Sequence, residues 1–354
     1  MNTSQIAAAD HLEREMPSLI EAITESYYRT NPSLWERYGT VGRQHSINDT
    51  GYHLQFLVSA LACDDPDIFS SYSRWVAVML AARGIERSDL VANLVSISEV
   101  LEHRLPQNLY STIHPYFTQA IDAVSAAVEP APCSFLDGDF PHSDLARTYL
   151  NALLARRRHD AVDAVVECAA NGAMLDGFYV DMFPRVQREV GRLWQLNRIS
   201  VAEEHYCSAA TQLVISQLYP YVRAAWQTNR RGQRVVAACV GNELHEIGMR
   251  TVSDCLESHG WETVYLGANQ PIQGVIDAIT ANDAKVLALS VSMIFNVRRL
   301  MSFIEHVRSR TNVPILVGGN IFNQSDGLWR KVGADGFARD ARDAVSMVER
   351  LAAA

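Results

Sequence analysis

Lysine is almost absent from this 354-residue chain: Lys285 and Lys331 are the only two, and arginine supplies nearly all the other positive charge. Schiff-base chemistry, which needs a lysine amine, has little room here. Positive charge as a whole is in deficit, with 31 Lys and Arg against 40 Asp and Glu and a formal net charge of −9. No basic stripe marks a nucleic-acid or membrane surface, so neither partner is expected. Long apolar runs are missing; Val286–Ser292 falls far short of the ~20 residues that cross a bilayer. The N-terminus, Met1–Gln5, lacks the basic and apolar pattern of a secretory leader, and a cytoplasmic protein is expected. Cysteine is sparse. Cys63, Cys133, Cys168, Cys207, Cys239 and Cys255 show no CxxC spacing, which argues against a zinc site or a disulfide framework and leaves them as small apolar residues. A content of 48% hydrophobic and 20% charged residues excludes a disordered chain, and the length suits two or three domains.

The hydrophobic pattern divides the chain. From Ser18 to about Ala127 it is helical, with Leu54, Leu57, Val58 and Leu61, then Tyr72, Val76, Met79 and Leu80, at three- and four-residue intervals and Asp65-Pro66-Asp67 between them. Glu129-Pro130-Ala131-Pro132 and Asp137-Gly138-Asp139-Phe140-Pro141 suggest a linker. A second helical block runs from about Ser143 to Trp226, with one apolar stripe through Tyr179, Met182, Phe183, Val186, Val190 and Leu193 and another through Leu213, Val214, Leu218 and Val222. From Arg234 the period changes. Short buried-strand runs (Val235–Val240, Thr263–Leu266, Val286–Val291, Ile315–Val317, Gly336–Ala338) alternate with helical patterns, as in a parallel sheet covered by helices on both faces. The expected organisation is a helical domain over 1–128, a linker over 129–141, a four-helix bundle over 142–230 and a Rossmann-like α/β domain over 231–354. A ligand site of such a domain lies outside the carboxyl ends of its strands.

The loop after the first strand reads Gly241-Asn242-Glu243-Leu244-His245-Glu246-Ile247-Gly248. It is not the glycine-rich turn that cradles a pyrophosphate. It offers an imidazole at a strand end, with Glu243 two residues earlier as a carboxylate able to hold the distal ring nitrogen. Taken alone, a loop histidine beside a helix-start glutamate explains the same residues.

Glu243-x-His245-x-x-Gly248, then Ser290-Val291-Ser292, then Gly318-Gly319, each at a predicted strand end, resemble the cobalamin-binding fingerprint D-x-H-x-x-G with its later serine and Gly-Gly pair. The resemblance implies that His245 ligates cobalt from the lower face with Glu243 as its partner, and that Leu244, Glu246, Ile247 and Gly248 line the cofactor. It further implies that the displaced dimethylbenzimidazole tail runs beside Ser290 or Ser292 and the two glycines. Glutamate replaces the commoner aspartate but keeps the carboxylate.

Corrinoid methyltransferase subunits also place a helical bundle before this domain. Here Trp194 is followed after nine residues by Glu204-His205, flanked by Val190-Gly191-Arg192-Leu193 and Ile199-Ser200-Val201-Ala202, and this resembles light-sensing cobalamin proteins of the CarH type. Asn197-Arg198 breaks one helix and the capping box Ser200-x-x-Glu203 starts the next, so Trp194, Glu204 and His205 are expected over one face. By resemblance, Trp194 and Glu204 enclose the 5′-deoxyadenosyl group of adenosylcobalamin, with His205 beside them. In the CarH type a histidine follows the tryptophan and becomes the upper cobalt ligand after light. Gln195 stands there in this chain, so His205 or water would have to substitute.

No arginine- or lysine-rich recognition helix occupies the first hundred residues. Asn31-Pro32-x-x-Trp35-x-x-Tyr38-Gly39, Asp49-x-x-Tyr52-His53-Leu54, Phe69-x-x-Tyr72-x-x-Trp75 and Arg83-Gly84-Ile85 resemble instead the globin-like helical domain of photocobilins, which hold biliverdin beside the corrinoid. A bilin needs aromatic walls, cations for its propionates and polar groups for its pyrroles. Trp75, Tyr52 and Tyr72 are candidate walls, Arg74, Arg83 or Arg43 candidate cations, and His53 with Asp49 candidate polar contacts. Haem with His53 as proximal ligand competes, as does plain helix packing. Cys63, on an apolar helix face, is a poor thioether candidate.

The expectation is a light sensor that binds adenosylcobalamin and biliverdin and has no catalytic output domain. It would signal through self-association or an unidentified protein partner. The rivals are a corrinoid carrier of a methyltransferase system and a light-independent cobalamin or haem sensor.

Overall fold

The computed structural model describes residues 3–126, 132–325 and 327–353. The chain forms two compact units, Met1–Ala131 and Pro132–Ala354.

The first unit is built from α1 (Thr3–Thr30), α2 (Ser33–Cys63), α3 (Pro66–Ala81), α4 (Arg87–Arg104) and α5 (Gln107–Ser125). Asp65 caps α3 by accepting the Asp67 N–H at 3.1 Å, with Pro66 at the first helical position where a missing N–H costs nothing. Leu54, Leu57 and Leu61 of α2 pack with Phe69, Tyr72 and Val76 of α3 and with Ile113 and Phe117 of α5. The helical stretch begins earlier than Ser18, because Ala8, Ala9 and Leu12 of α1 are fully buried in this core.

The second unit opens with a helical bundle of α6 (Ser143–Leu154), α7 (Arg158–Ala170), a π-helical turn Gly177–Met182 running into α8 (Phe183–Gln195), and α9 (Val201–Asn229). Residues 129–131 of the expected linker lie outside the described residues. From Pro132 on, the segment is fastened to the bundle. The Phe135 N–H donates to Glu189 at 3.0 Å, Arg192 reaches the Pro132 carbonyl at 3.1 Å, and Arg147 donates to the Leu136 carbonyl at 3.0 Å. Glu189 and Arg192, one helical turn apart and both nearly buried, pair at 2.6 Å and provide this anchorage.

The sheet follows: β1 (Arg234–Val240), α10 (Ile247–Ser258), β2 (Glu262–Gln270), α11 (Ile272–Ala281), β3 (Val286–Ser290), α12 (Val297–Arg308), β4 (Ile315–Gly318), the short α13 (Asn320–Gln324) and α14 (Leu328–Lys331), β5 (Gly336–Ala338) and α15 (Ala341–Ala353). Its strands are parallel in the order β2-β1-β3-β4-β5. Central strands β1 and β3 are buried along nearly their whole length, which is why they read as unbroken Val, Ala and Leu runs. The architecture is therefore a mostly helical N-terminal region, a bundle, and a Rossmann-like five-stranded parallel sheet. In this strand order the connections leave β1 and β3 in opposite directions, opening a crevice at their carboxyl ends. No helix among the described residues is long and apolar enough to cross a membrane.

Candidate functional site

The crevice between the ends of β1 and β3 is organised by one buried carboxylate. Glu243 is fully buried, and its Oε1 lies 2.7 Å from His245 Nδ1 while also accepting the His245 backbone N–H at 3.0 Å. Its Oε2 accepts the backbone N–H groups of Ser292 at 2.8 Å and Met293 at 3.0 Å and the Asn296 amide at 3.2 Å. Burial works to raise the Glu243 pKa, but the bonds from His245 and from the Met293 and His245 amides outweigh it and hold the group down to about 2. The carboxylate is thus an anion fixed at the switch point.

Its counterpart is the His245 ring. The hydrogen bond from Glu243 raises the His245 pKa; burial opposes the rise, and the charges of Glu243 and then of Glu204 add to it. An Nδ1 held by a carboxylate leaves Nε2 as the ligating atom of the neutral ring, the arrangement that orients metal-bound histidines. The side chain is 61% exposed, so that nitrogen is accessible. Leu244 beside it is 71% exposed, an apolar surface left uncovered at the loop tip. A Cβ at Gly248, at the start of α10, would meet nothing within 4 Å, so the helix entrance is open at that position. A buried anion, an outward imidazole and an uncovered leucine leave Nε2 able to coordinate a metal centre.

The other sequence-derived residues are engaged in ways that residue type alone did not reveal. Glu246 accepts from Gln212 of α9 at 3.0 Å and from Tyr265 and the Ala268 N–H at 3.0 Å each, tying bundle to sheet. Ile247 packs on the core of this unit. Ser290, buried at the end of β3, partners the Cys239 thiol across the strand pair. Ser292 supplies its backbone N–H to Glu243. Gly318 and Gly319 close β4, and Gly319 sits at φ 113°, where a Cβ would lie 2.0 Å from the Val291 carbonyl oxygen. The need for glycine there comes first from the chain's own β3 loop. Asn296 was missed: a buried polar residue four positions after Ser292, in an otherwise apolar stretch, is the signal that could have found it.

In the bundle, Asn197 adopts φ 55° and ends α8, and the Ser200–Glu203 capping box starts α9. Trp194 is half-buried at the end of α8, and Gln195 is buried. Glu204 in the first turn of α9 accepts from Ser208 at 2.9 Å and lies 3.5 Å from His205 Nε2, whose ring is 74% exposed. Its charge acts on the His245 ring across the space between bundle and sheet loop.

The first unit presents a second histidine cluster. His53 is buried with Nδ1 3.0 Å from the Tyr72 hydroxyl, and Phe56 stacks on Tyr72 at 3.6 Å. Burial holds the His53 pKa down to about 4. Burial also raises Asp49, whose charge, with that of Tyr52, acts on Tyr72. Tyr52 is 51% and Trp75 41% exposed. Arg74 donates to Ser71 at 3.0 Å and Arg83 to the Met79 carbonyl at 2.9 Å, each within its own helix region. Asp49, Tyr52, His53 and Tyr72 are thus brought together. Cys63 is buried, out of reach of a thioether partner at the surface.

Comparison with known proteins bears on the second unit. Residues 145–219 and 233–348 each match a family described as B12 binding domain. Dimethylamine corrinoid protein 3 of Methanosarcina acetivorans is 25% identical over 206 residues, 54% of this chain and 95% of that protein. The dimethylamine corrinoid protein of Methanosarcina barkeri is 31% identical over 123 residues, 34% of this chain and 56% of that protein. The solved structure of the Methanosarcina barkeri monomethylamine corrinoid protein superposes with a TM-score of 0.52 at 17% identity, covering 59% of this chain and 99% of that one, and shares the fold. The half of the chain that carries Glu243 and His245 is cobalamin-binding.

Proposed function

We propose that this chain is a cobalamin-dependent light sensor in which His245 is the lower axial ligand of adenosylcobalamin. The Glu243–His245 pair at 2.7 Å carries the cobalamin half of the reading, and light sensing rests on the resemblance of Trp194, Glu204 and His205 to the CarH type. Glu243 fixes the tautomer, His245 offers Nε2, and Ser290, Ser292, Gly318 and Gly319 stand at the strand ends where the nucleotide tail would enter. Trp194, Glu204 and His205 would face the upper ligand. Adenosylcobalamin supplies, when bound, a cobalt–carbon bond that light cleaves. Residues that contact the adenosyl group from the bundle would then lose a partner that the sheet-side residues keep, and such a differential contact is what shifts a population between two arrangements. The change would be read as self-association or by a protein partner. The Asp49–Tyr52–His53–Tyr72 cluster, with Trp75, Arg74 and Arg83, would take biliverdin.

The named relatives favour a second reading, a corrinoid carrier of a methyltransferase system. The carrier that aligns over 95% of its own length takes up only 54% of this chain, and both B12 matches fall within the Pro132–Ala354 unit. The Met1–Ala131 unit is thus additional to what the B12 matches occupy, and an input or output unit is what a sensor adds. The full chain loaded with adenosylcobalamin, sized by chromatography in darkness and after green light, decides between the two. A light-dependent change in elution that Trp194→Ala and Glu204→Gln abolish supports the sensor. Identical elution together with methyl exchange from methylcobalamin to an acceptor overturns it in favour of the carrier. A far-red absorbance band on adding biliverdin, absent in Tyr72→Ala, tests the first unit; a Soret band with haemin alone contradicts the bilin assignment.

A further inference from the structure

At the opposite end of α10 from the His245 loop, three side chains with metal-ligating atoms meet. Cys255 and His259 are four residues apart and so share one face of the helix end. Asp176 comes from the bundle, immediately before the π-helical turn Gly177–Met182. One ligand atom from each residue lies within 4.8 Å of the others. Cys255 Sγ is 3.6 Å from Asp176 Oδ1, and His259 Nε2 is 3.7 Å from Asp176 Oδ2. Cys255 is fully buried, Asp176 is 23% exposed and His259 is 38% exposed, which leaves an access path on the histidine side.

The histidine is pre-oriented. Its Nδ1 lies 2.8 Å from the Cys255 carbonyl oxygen and 3.2 Å from Ser258 Oγ. A carbonyl can only accept, so Nδ1 carries a proton and Nε2 is the ring nitrogen turned toward the Asp176 carboxylate. A shared proton does not suit the spacing, because 3.7 Å exceeds the ~2.7–3.2 Å of an N–H···O bond. A metal ion can bridge the wider gap. Tetrahedral zinc bonds of about 2.3 Å to sulfur and 2.0–2.2 Å to nitrogen or oxygen set sulfur roughly 3.6 Å and nitrogen roughly 3.4 Å from a ligand oxygen, near the 3.6 and 3.7 Å found to the two oxygens of Asp176, with all three ligand atoms within 4.8 Å of one another. Arg342 also acts on the Cys255 thiol, but its guanidinium is directed to Asp181 at 3.6 Å.

We propose that Asp176, Cys255 and His259 form a zinc site, with water as the fourth ligand, that clips the bundle to α10. Thiolate and carboxylate together neutralise the dication, and the thiol proton is released to solvent on binding. The donor set of one sulfur, one imidazole and one carboxylate suits Zn²⁺ over Mg²⁺ or Ca²⁺, which prefer oxygen alone. The site is independent of the corrinoid reading, since it lies at the other end of α10 and shares no residue with it. The cysteine spacing in the sequence argued against a zinc site and left Cys255 as a small apolar residue; Asp176, 79 residues before it, joins it only through the fold.

The test uses the full chain, freed of metal by chelator and titrated with Zn²⁺ against a chromophoric competitor. One equivalent is expected, with at least tenfold weaker uptake in His259→Gln and in Asp176→Asn at unchanged helical circular dichroism, and full uptake in the exposed control His159→Gln. Zinc-edge X-ray absorption of the wild-type complex, which needs no variant, is expected to show one sulfur neighbour. No uptake by the folded protein, undiminished uptake in both variants, or a shell of nitrogen and oxygen only would each overturn the site.

Discussion

Two histidines, one in each unit, show how the same side chain is set to opposite tasks. His53 is sealed among Tyr72, Phe56 and the α2–α3 core, bonded only to a neutral hydroxyl among its described contacts, and burial lowers its pKa to about 4. His245 is bonded to a buried carboxylate, its ring faces outward, and its pKa is raised. Desolvation acts on both and decides only the first, because a charge at 2.7 Å overrides burial where a phenol at 3.0 Å does not. An imidazole beside an anchored anion is a good σ-donor to a metal; one inside a neutral core is chiefly a packing element with a polar edge.

The comparison can be broken most forcefully by removing the ligand. His245→Ala is expected to weaken cobalamin binding by about 1,000-fold or more, beyond the 10–100-fold carried by groups that merely orient a metal-bound histidine, whereas His53→Ala should leave the affinity unchanged. Equilibrium dialysis measures both, and equal losses would erase the distinction. Acid sharpens it next. A buried neutral histidine has a folded pKa below its unfolded value, so the unfolded state takes up the proton first. The stability of the first unit is then intact above pH 6.5 and falls as the pH drops toward 4, by up to about 3 kcal/mol. Glu243, also lowered, keeps its contribution above its unfolded value of 4.5 and loses it only toward pH 2. Hydrogen exchange of the cobalamin-free chain should therefore show α2 and α3 opening at a higher pH than the β1 and β3 ends.

A smaller effect comes from neutralising the anchor. Glu243→Gln keeps the shape but loses the anion, and a 10–100-fold weaker affinity is expected by the same dialysis. The smallest concerns the other histidine's partner. Tyr72→Phe removes one buried hydrogen bond and should cost about 1 kcal/mol in chemical denaturation without touching cobalamin affinity.

The strands were legible where burial is two-sided. Val235–Val240 and the Val286 run stand out because every position but Ser290 is apolar, whereas β2 extends through Glu262–Gln270 although only Thr263–Leu266 reads as strand. As an edge strand it is only half-buried, and it slips register opposite Ala237 and Ala238, so polar and small residues occupy it. The π-helical turn read as ordinary helix, because Tyr179 and Met182 keep three- and four-residue spacing to Phe183 and Val186. In the site, Glu243 and His245 were legible because side-chain type and a two-residue spacing suffice to pair them. Ser292 was chosen for its hydroxyl, yet it serves Glu243 through a backbone amide, which any residue would provide. Tyr52 as a wall and His53 as a polar contact were expected in one pocket, but neighbours on a helix point about 100° apart, and one is exposed while the other is buried. Asp176 and Glu204 act on residues tens of positions away, and only the fold brings them there.

The central claim is that His245 Nε2 holds the cobalt from below while Glu243 holds the ring. Electron paramagnetic resonance of the bound corrinoid in its Co(II) form, on protein grown with ¹⁵N-histidine, tests it directly, because the axial nitrogen splits the cobalt lines. The account predicts a threefold splitting with unlabelled protein that becomes twofold on labelling and vanishes in His245→Ala. A threefold splitting that survives the label would mean that the corrinoid's own base remains bound, and would contradict it.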